Sequence, residues 1–291
     1  MSHRSSLCVA AALALAAGLG GTSPAAAAEP RTSFGEHLWL GARVAPLGLT
    51  LESETTFRWR FGPDGDELLE DDHLDVGAFV GASPVMSMVG GLVEFQPAAF
   101  FVLRARALRL DWFGTFGLLS KVDGLDGDWS PERLSDLEDA DQGTVSSGSW
   151  LDIDAQLRAK VGGFIAVLEC RPAWIHSAIG GPYYEPYNDI LLAADDLLVD
   201  AQAIAGWLFD DSLFVGARWE LMVSDAARQP RQTVAALVHW ETALGGARDP
   251  AHPPSAATTF SLDGLVGAYA EDRYRAGEAW GALAATLAWR L

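Results

Sequence analysis

Trp150–Val161 reads WLDIDAQLRAKV. Trp150, Asp152, Asp154, Gln156, Arg158 and Lys160 alternate without a break with Leu151, Ile153, Ala155, Leu157, Ala159 and Val161. Side chains of a β-strand point to its two faces in turn, so this stretch is a strand with one polar and one apolar side. Two environments suit such a strand. One is a soluble sheet, with a core below and water above. The other is a membrane barrel, with lipid outside and a polar lumen inside.

The pattern recurs along the chain. LTLESETTFRWRF (49–61) sets Glu52, Glu54, Arg58 and Arg60 against Leu51, Phe57, Trp59 and Phe61. LFVGARWELMV (213–223) sets Arg218 and Glu220 against Val215, Trp219 and Leu221, and LVDAQAIAGWL (198–208) repeats the scheme with smaller residues. HLWLGARV, LDVGAFVG, MVGGLVEF, FFVLRARALRL, FIAVLECRPAW, TVAALVHWE, FSLDGLVGAY and WGALAATLAWRL are looser versions. Together these give about twelve strands. QPAA, VGGF and FDDS read as tight turns. Long polar connections are expected at 62–72, 121–149, 177–196 and 245–258, of which 121–149 is markedly acidic and too long for an idle loop. No composition break divides the chain, so one domain is expected over 29–291.

Residues 1–28 read as a cleaved signal peptide. Arg4 precedes the apolar run Leu7–Leu19, and SPAAAAEP offers a small-residue cleavage site after Ala28. Cys8 stands at the start of that run and not after it, so lipidation is not expected. Cleavage would leave Cys170 as the sole cysteine, with no disulfide to form. The run Val76–Val93 carries no charge, but Ser83, Pro84, Ser87 and several glycines interrupt it, so a spanning helix is not expected. A formal charge of −19 argues against nucleic acid as a partner.

Four features favour lipid outside. The apolar faces carry small residues (Ala155, Ala159, Ala201, Ala203, Ala205) that would make a poor soluble core. Aromatics cluster toward strand ends: Phe57, Trp59, Phe61, Trp112, Phe113, Trp174, Tyr183, Tyr184, Trp207, Trp219, Trp240 and Trp289. The chain stops inside its last strand, with Leu287, Trp289 and Leu291 on the apolar face. The polar faces carry both signs of charge.

With these features the chain resembles the Gram-negative bacterial outer-membrane β-barrels, at the level of the class. The closing GALAATLAWRL matches the alternating final strand of that class, with Trp289 two places from the end and Leu291 where an aromatic usually stands. The resemblance implies an all-β, up-and-down antiparallel transmembrane barrel in the outer membrane. It implies outer-membrane lipid around the barrel, and the barrel-assembly machinery as a partner through the final strand. Glu52, Glu54, Arg58, Arg60, Arg104, Arg106, Asp152, Asp154, Arg158, Lys160, Glu169, Arg171, Arg218 and Glu220 would then line the lumen. Strand parity puts 121–149 outside the cell, and FDDS (209–212), 62–72 and 245–258 in the periplasm. Glu52, Glu54, Asp152 and Asp154 would fall near the outer mouth, with Arg58, Arg60, Arg158 and Lys160 near the inner one. Such an arrangement reads either as an axial field acting on small solutes or as a salt-bridge lattice that fills the interior.

The expected role is non-enzymatic: a structural barrel or a narrow, porin-like path for small solutes, with no cofactor. The alternatives are a lipid-acting barrel enzyme and a soluble exported β-rich binding protein. Outer-membrane phospholipase A needs His two residues before Ser, whereas WIHSAIGG sets His176 directly beside Ser177, on opposite faces of a strand. His239 and Glu241 share a face, but no nearby serine is implied. Asp123, Asp126 and Asp128, with Glu138, Asp139 and Asp141 following, are weak candidates for a divalent ion. Their spacing is not that of an EF-hand, and a solvated loop is the plainer expectation.

Overall fold

A computed structural model describes residues 31–61, 72–115, 119–139, 143–210, 212–244 and 258–290. The signal segment 1–28, the connections 62–71 and 245–257, Asp141 and Leu291 lie outside the described residues, as does the side chain of Glu138. The strands are β1 Thr32–Val44, β2 Gly48–Arg60, β3 His73–Ala82, β4 Met86–Ala98, β5 Phe101–Trp112, β6 Ser146–Val161 and β7 Phe164–Ser177. A short pair follows, β8 Tyr183–Glu185 and β9 Ile190–Leu192. Then come β10 Asp195–Phe209, β11 Leu213–Ser224, β12 Pro230–Leu244, β13 Thr258–Glu271 and β14 Ala279–Arg290.

Twelve of these strands close an antiparallel ring in which each pairs with its neighbours in sequence, while β8 and β9 form a separate hairpin between β7 and β10. Closure is made by β1 on β14, from Gly35 opposite Arg290 to Val44 opposite Gly281. The acidic connection is shorter than expected, because β6 begins at Ser146 and pairs Ser146–Ser149 with the end of β5. It also holds the helix α1 Pro131–Asp139. Ser130 precedes that helix and its hydroxyl accepts from Arg133 N at 3.3 Å, with proline at the first helical position.

The two faces of β6 settle what the barrel stands in. Leu151 and Ile153 are 48% and 39% exposed, whereas Trp150 and Asp152 are 7% and 0%. The same inversion runs round the ring, with Leu40, Leu51, Val80, Val93, Leu103, Leu168, Val215, Val238, Leu262 and Leu283 all exposed. A continuous apolar belt of this kind is unfavourable against water and matched to hydrocarbon. Phe34, Phe57, Trp59, Phe95, Phe164, Trp207, Phe209 and Trp240 are exposed toward the strand ends nearest the termini, where an interfacial girdle belongs. Trp112, Tyr183 and Tyr184 are not part of any girdle. They are 1%, 0% and 1% exposed and lie inside the barrel, because the extracellular connections fold inward over them.

With an even number of barrel strands, the start of β1 and the end of β14 lie at one end. The tight turns at 99–100 and 162–163 and the short link from β10 to β11 join strands at that end, which is the periplasmic one in barrels of this architecture. The opposite, outer end carries, among the described residues, 113–115, 119–139, 143–145, 178–194, 225–229 and 272–278.

Candidate functional site

The lumen has two layers. In the outer layer the inward side chains are apolar: Phe79, Met86, Met88, Leu108, Leu110, Trp112, Trp150, Ile175, Leu198 and Met222 belong to one buried cluster. At its centre is the β8–β9 hairpin, whose Tyr183, Leu191 and Leu192 are fully buried. The hairpin enters from between β7 and β10, which the ring order sets opposite β1 and β2. Its tip reaches that far wall. Arg43 Nη2 donates to Pro186 O at 3.0 Å, and Tyr187 OH donates to Glu52 Oε1 at 2.8 Å.

Asp189 fixes the tip. Its Oδ1 accepts from Tyr184 OH at 2.7 Å, and its Oδ2 accepts from Tyr269 OH at 2.7 Å and from Arg275 Nη1 at 2.8 Å. Arg231 Nη1 stands 3.7 Å away. A carboxylate with no exposure is tolerated because charge and hydrogen bonds both meet it. The turn puts Asp189 at φ 56°, a left-handed conformation that Asp and Asn accept more readily than most residues. Glu185 closes the same turn, accepting from Asn188 N at 2.7 Å and Tyr187 N at 3.1 Å.

The acidic connection seals the hairpin from above. Tyr184 N donates to Ser120 O, and Val122 N to Pro182 O, both at 3.1 Å. Trp129 stacks on Tyr184 with ring centroids 5.8 Å apart and meets the Tyr274 ring edge-on at 5.1 Å. Gln229 Nε2 and Arg273 Nη2 tie the same connection to the neighbouring loops through Leu125 O and Asp126 O, each at 3.0 Å.

Below this core lies a belt of paired charges. Arg104 pairs with Glu54 across two intervening strands, and its Nε is 3.7 Å from Glu94. Arg106 pairs with Asp152 at 3.0 Å, and Trp150 Nε1 donates to the same carboxylate at 2.6 Å. Arg171 pairs with Asp200 at 2.5 Å, while Arg218 and Arg231 share Glu220. Arg58 holds Asp75 through two bonds of 2.8 and 2.7 Å. Gln156 Nε2 donates to Glu169 at 3.3 Å. Asp154 sits opposite Arg104 in register, and its Oδ1 is buried with no hydrogen-bond partner among the described residues. At the inner end Arg158 and Lys160 are exposed, and Arg60 pairs in register with His73.

This placement corrects one part of the expectation, that the acids open onto an outer mouth. Glu52 and Asp152 do not look out on external water: the hairpin tip lies on Glu52, and Asp152 has no exposure. The cause is the folded outer layer, which displaces the water-facing boundary inward. The hairpin itself was not expected. Its trace in the sequence is YYEPYNDILL, two short apolar–aromatic runs around a Pro–Tyr–Asn–Asp turn.

Other candidates are dispersed. Asp123, Asp126 and Asp128 are exposed. Asp128 Oδ1 accepts from Ser130 N at 2.9 Å, and that bond holds its carboxyl below the usual range. His176 is on the outer surface with Asp195 at 2.6 Å, whereas Ser177 is buried inside. His239 meets Asp263 at 2.7 Å on the inner wall. Among the described residues, the one His/Asp/Glu grouping with metal-ligand spacing is His73, Asp75 and Glu94, which the sequence reading passed over.

No protein-family model and no curated protein matches the chain. Solved structures similar to it include the β domain of the Bordetella autotransporter Brka, with a TM-score of 0.48 and 13% identity over 90% of this chain and 99% of that one. The KdgM porin gives 0.38 and 6% over 87% and 97%. The translocator domain of the autotransporter NalP from Neisseria meningitidis gives 0.37 and 8% over 91% and 88%. The chain's own geometry decides its place. A closed ring of twelve antiparallel strands, apolar outside and charged within, is an outer-membrane β-barrel. A soluble exported binding protein does not fit that exposed apolar belt.

Proposed function

We propose that this chain is a non-enzymatic barrel whose resting lumen is closed at its outer end, a structural element of the outer membrane rather than an open pore. The observation that carries this reading is the Asp189 clamp. A hairpin rooted between β7 and β10 is held at its tip by Arg43 and Glu52 of the opposite wall and by Tyr269 and Arg275 of β13 and the loop after it. Burial of Tyr183, Ile190, Leu191 and Leu192 contributes roughly 1.5–3 kcal/mol each. Withdrawing the hairpin therefore costs on the order of 10 kcal/mol before its polar bonds are counted. Spontaneous opening at rest is negligible at that cost. Small solutes would cross only if something displaced the hairpin. The surrounding lipid and, through the β14 strand, the assembly machinery are the partners this reading requires.

Planar-bilayer recording tests it. The purified barrel should show small or no steady conductance. Replacing 181–193 with a short Gly-Ser link should produce a steady one. A large, stable conductance from the unaltered barrel would refute the closed reading. Lipid hydrolysis by the same preparation, abolished by Ser177→Ala, would refute the non-enzymatic one.

A further inference from the structure

One grouping on the inner wall has the composition of a metal centre. His73 and Asp75 stand two residues apart on β3 and so share the lumen face, and Glu94 of β4 lies directly across from Asp75. His73 Nε2 is 3.2 Å from Glu94 Oε1 and 3.8 Å from Asp75 Oδ2, and the three ligand atoms lie within 4.8 Å of one another. Ligands of a tetrahedral ion at ~2.1 Å are separated by ~3.4 Å, so an inward adjustment of about an ångström brings all three onto one ion. A proton on Nε2 can bond only one of the two carboxylates at a time. An ion bonds both.

The surroundings hold the ligands in place. Arg58 donates to both oxygens of Asp75, at 2.8 and 2.7 Å, which fixes the carboxylate plane and leaves a lone pair on each oxygen. Arg104 Nε stands 3.7 Å from the far oxygen of Glu94. Hydrogen bonds such as those from Arg58 to a ligating carboxylate are the usual outer support of a metal site. His73 and Asp75 are nearly buried, with side chains 4% and 6% exposed, whereas Glu94 is 21% exposed. An ion from the aqueous lumen would meet Glu94 first.

We propose that His73, Asp75 and Glu94 bind one divalent first-row transition ion at the inner end of the lumen. An imidazole nitrogen with two carboxylate oxygens suits Zn²⁺ and its neighbours, whereas Ca²⁺ and Mg²⁺ prefer oxygen alone. The site lies below the hairpin and does not depend on whether the lumen conducts.

The test uses the untagged, folded barrel in detergent, first stripped with a chelator. Calorimetric titration with Zn²⁺ should show one saturable site, and Co²⁺ should give visible absorption characteristic of a bound ion. His73→Ala and Glu94→Gln should each weaken Zn²⁺ binding by roughly tenfold or more. Asp123→Asn with Asp126→Asn, in the exposed outer connection, should leave it unchanged. Heat-modifiable gel mobility checks that every variant is folded. No saturable binding, or a loss smaller than tenfold in folded His73→Ala, overturns the proposal.

Discussion

The outer and inner layers of this lumen are built from the same strands by different rules. On β6, Trp150 sits in an apolar core, Asp152 is buried at the boundary, and Lys160 is exposed ten residues below Trp150. Above the boundary the wall packs against a hairpin, so inward side chains are large and apolar, and burial supplies the cohesion. Below it the wall faces water and its own far side, so inward side chains are long and charged, and pairing supplies the order. The outer layer has the make-up of a soluble protein core enclosed by a membrane barrel. The comparison teaches that one alternating strand can serve two interiors, and that only the residues it meets distinguish them.

The sharpest way to break the comparison is at the clamp. Asp189→Asn leaves Arg275 and Arg231 buried beside a neutral partner, a change that costs roughly 3–5 kcal/mol when a buried pair loses one member. The denaturation midpoint of the outer layer should fall and steady conductance should rise. An unchanged midpoint would show that the clamp is not what holds the hairpin. Next is the face assignment. Ile153→Arg puts a charge into hydrocarbon near mid-bilayer at a cost of about 2–4 kcal/mol, and the heat-modifiable, folded fraction should drop sharply. Equal accumulation of Ile153→Arg and the unaltered protein in the outer membrane would reverse inside and outside. The smallest effect belongs to the inner end. Arg158 is exposed and its guanidinium bonds to the Gln156 amide oxygen, so Arg158→Leu should shift stability by no more than about 0.5 kcal/mol. A loss comparable to that of Asp189→Asn would mean that the inner layer is as tightly packed as the outer.

Much of the ring was legible in the sequence, because lipid-facing alternation is a local signal. WLDIDAQLRAKV declares its faces within twelve residues, and most of the other strands follow the same period. The long-range partners were not legible. Nothing near Asp189 in the chain announces Tyr269 or Arg275, which reach it from the far side of a loop. The aromatics misled for the same reason. Trp112, Tyr183 and Tyr184 have the composition of a girdle, and only the inward fold of 119–139 and 178–194 makes them core. The cluster of His73, Asp75 and Glu94 needed the β3–β4 register, which pairs residues some twenty positions apart.

The central claim is that the hairpin 183–192 is the core of the outer layer and not a surface loop. Amide hydrogen exchange of the folded barrel in detergent, read on peptides covering 183–192, tests it most directly. The structure predicts protection comparable to that of the barrel strands β7 and β10, since Tyr183, Leu191 and Leu192 are fully buried and the Tyr184 amide bonds Ser120 O. Exchange as fast as that of an exposed loop, with β7 and β10 still protected, would contradict it.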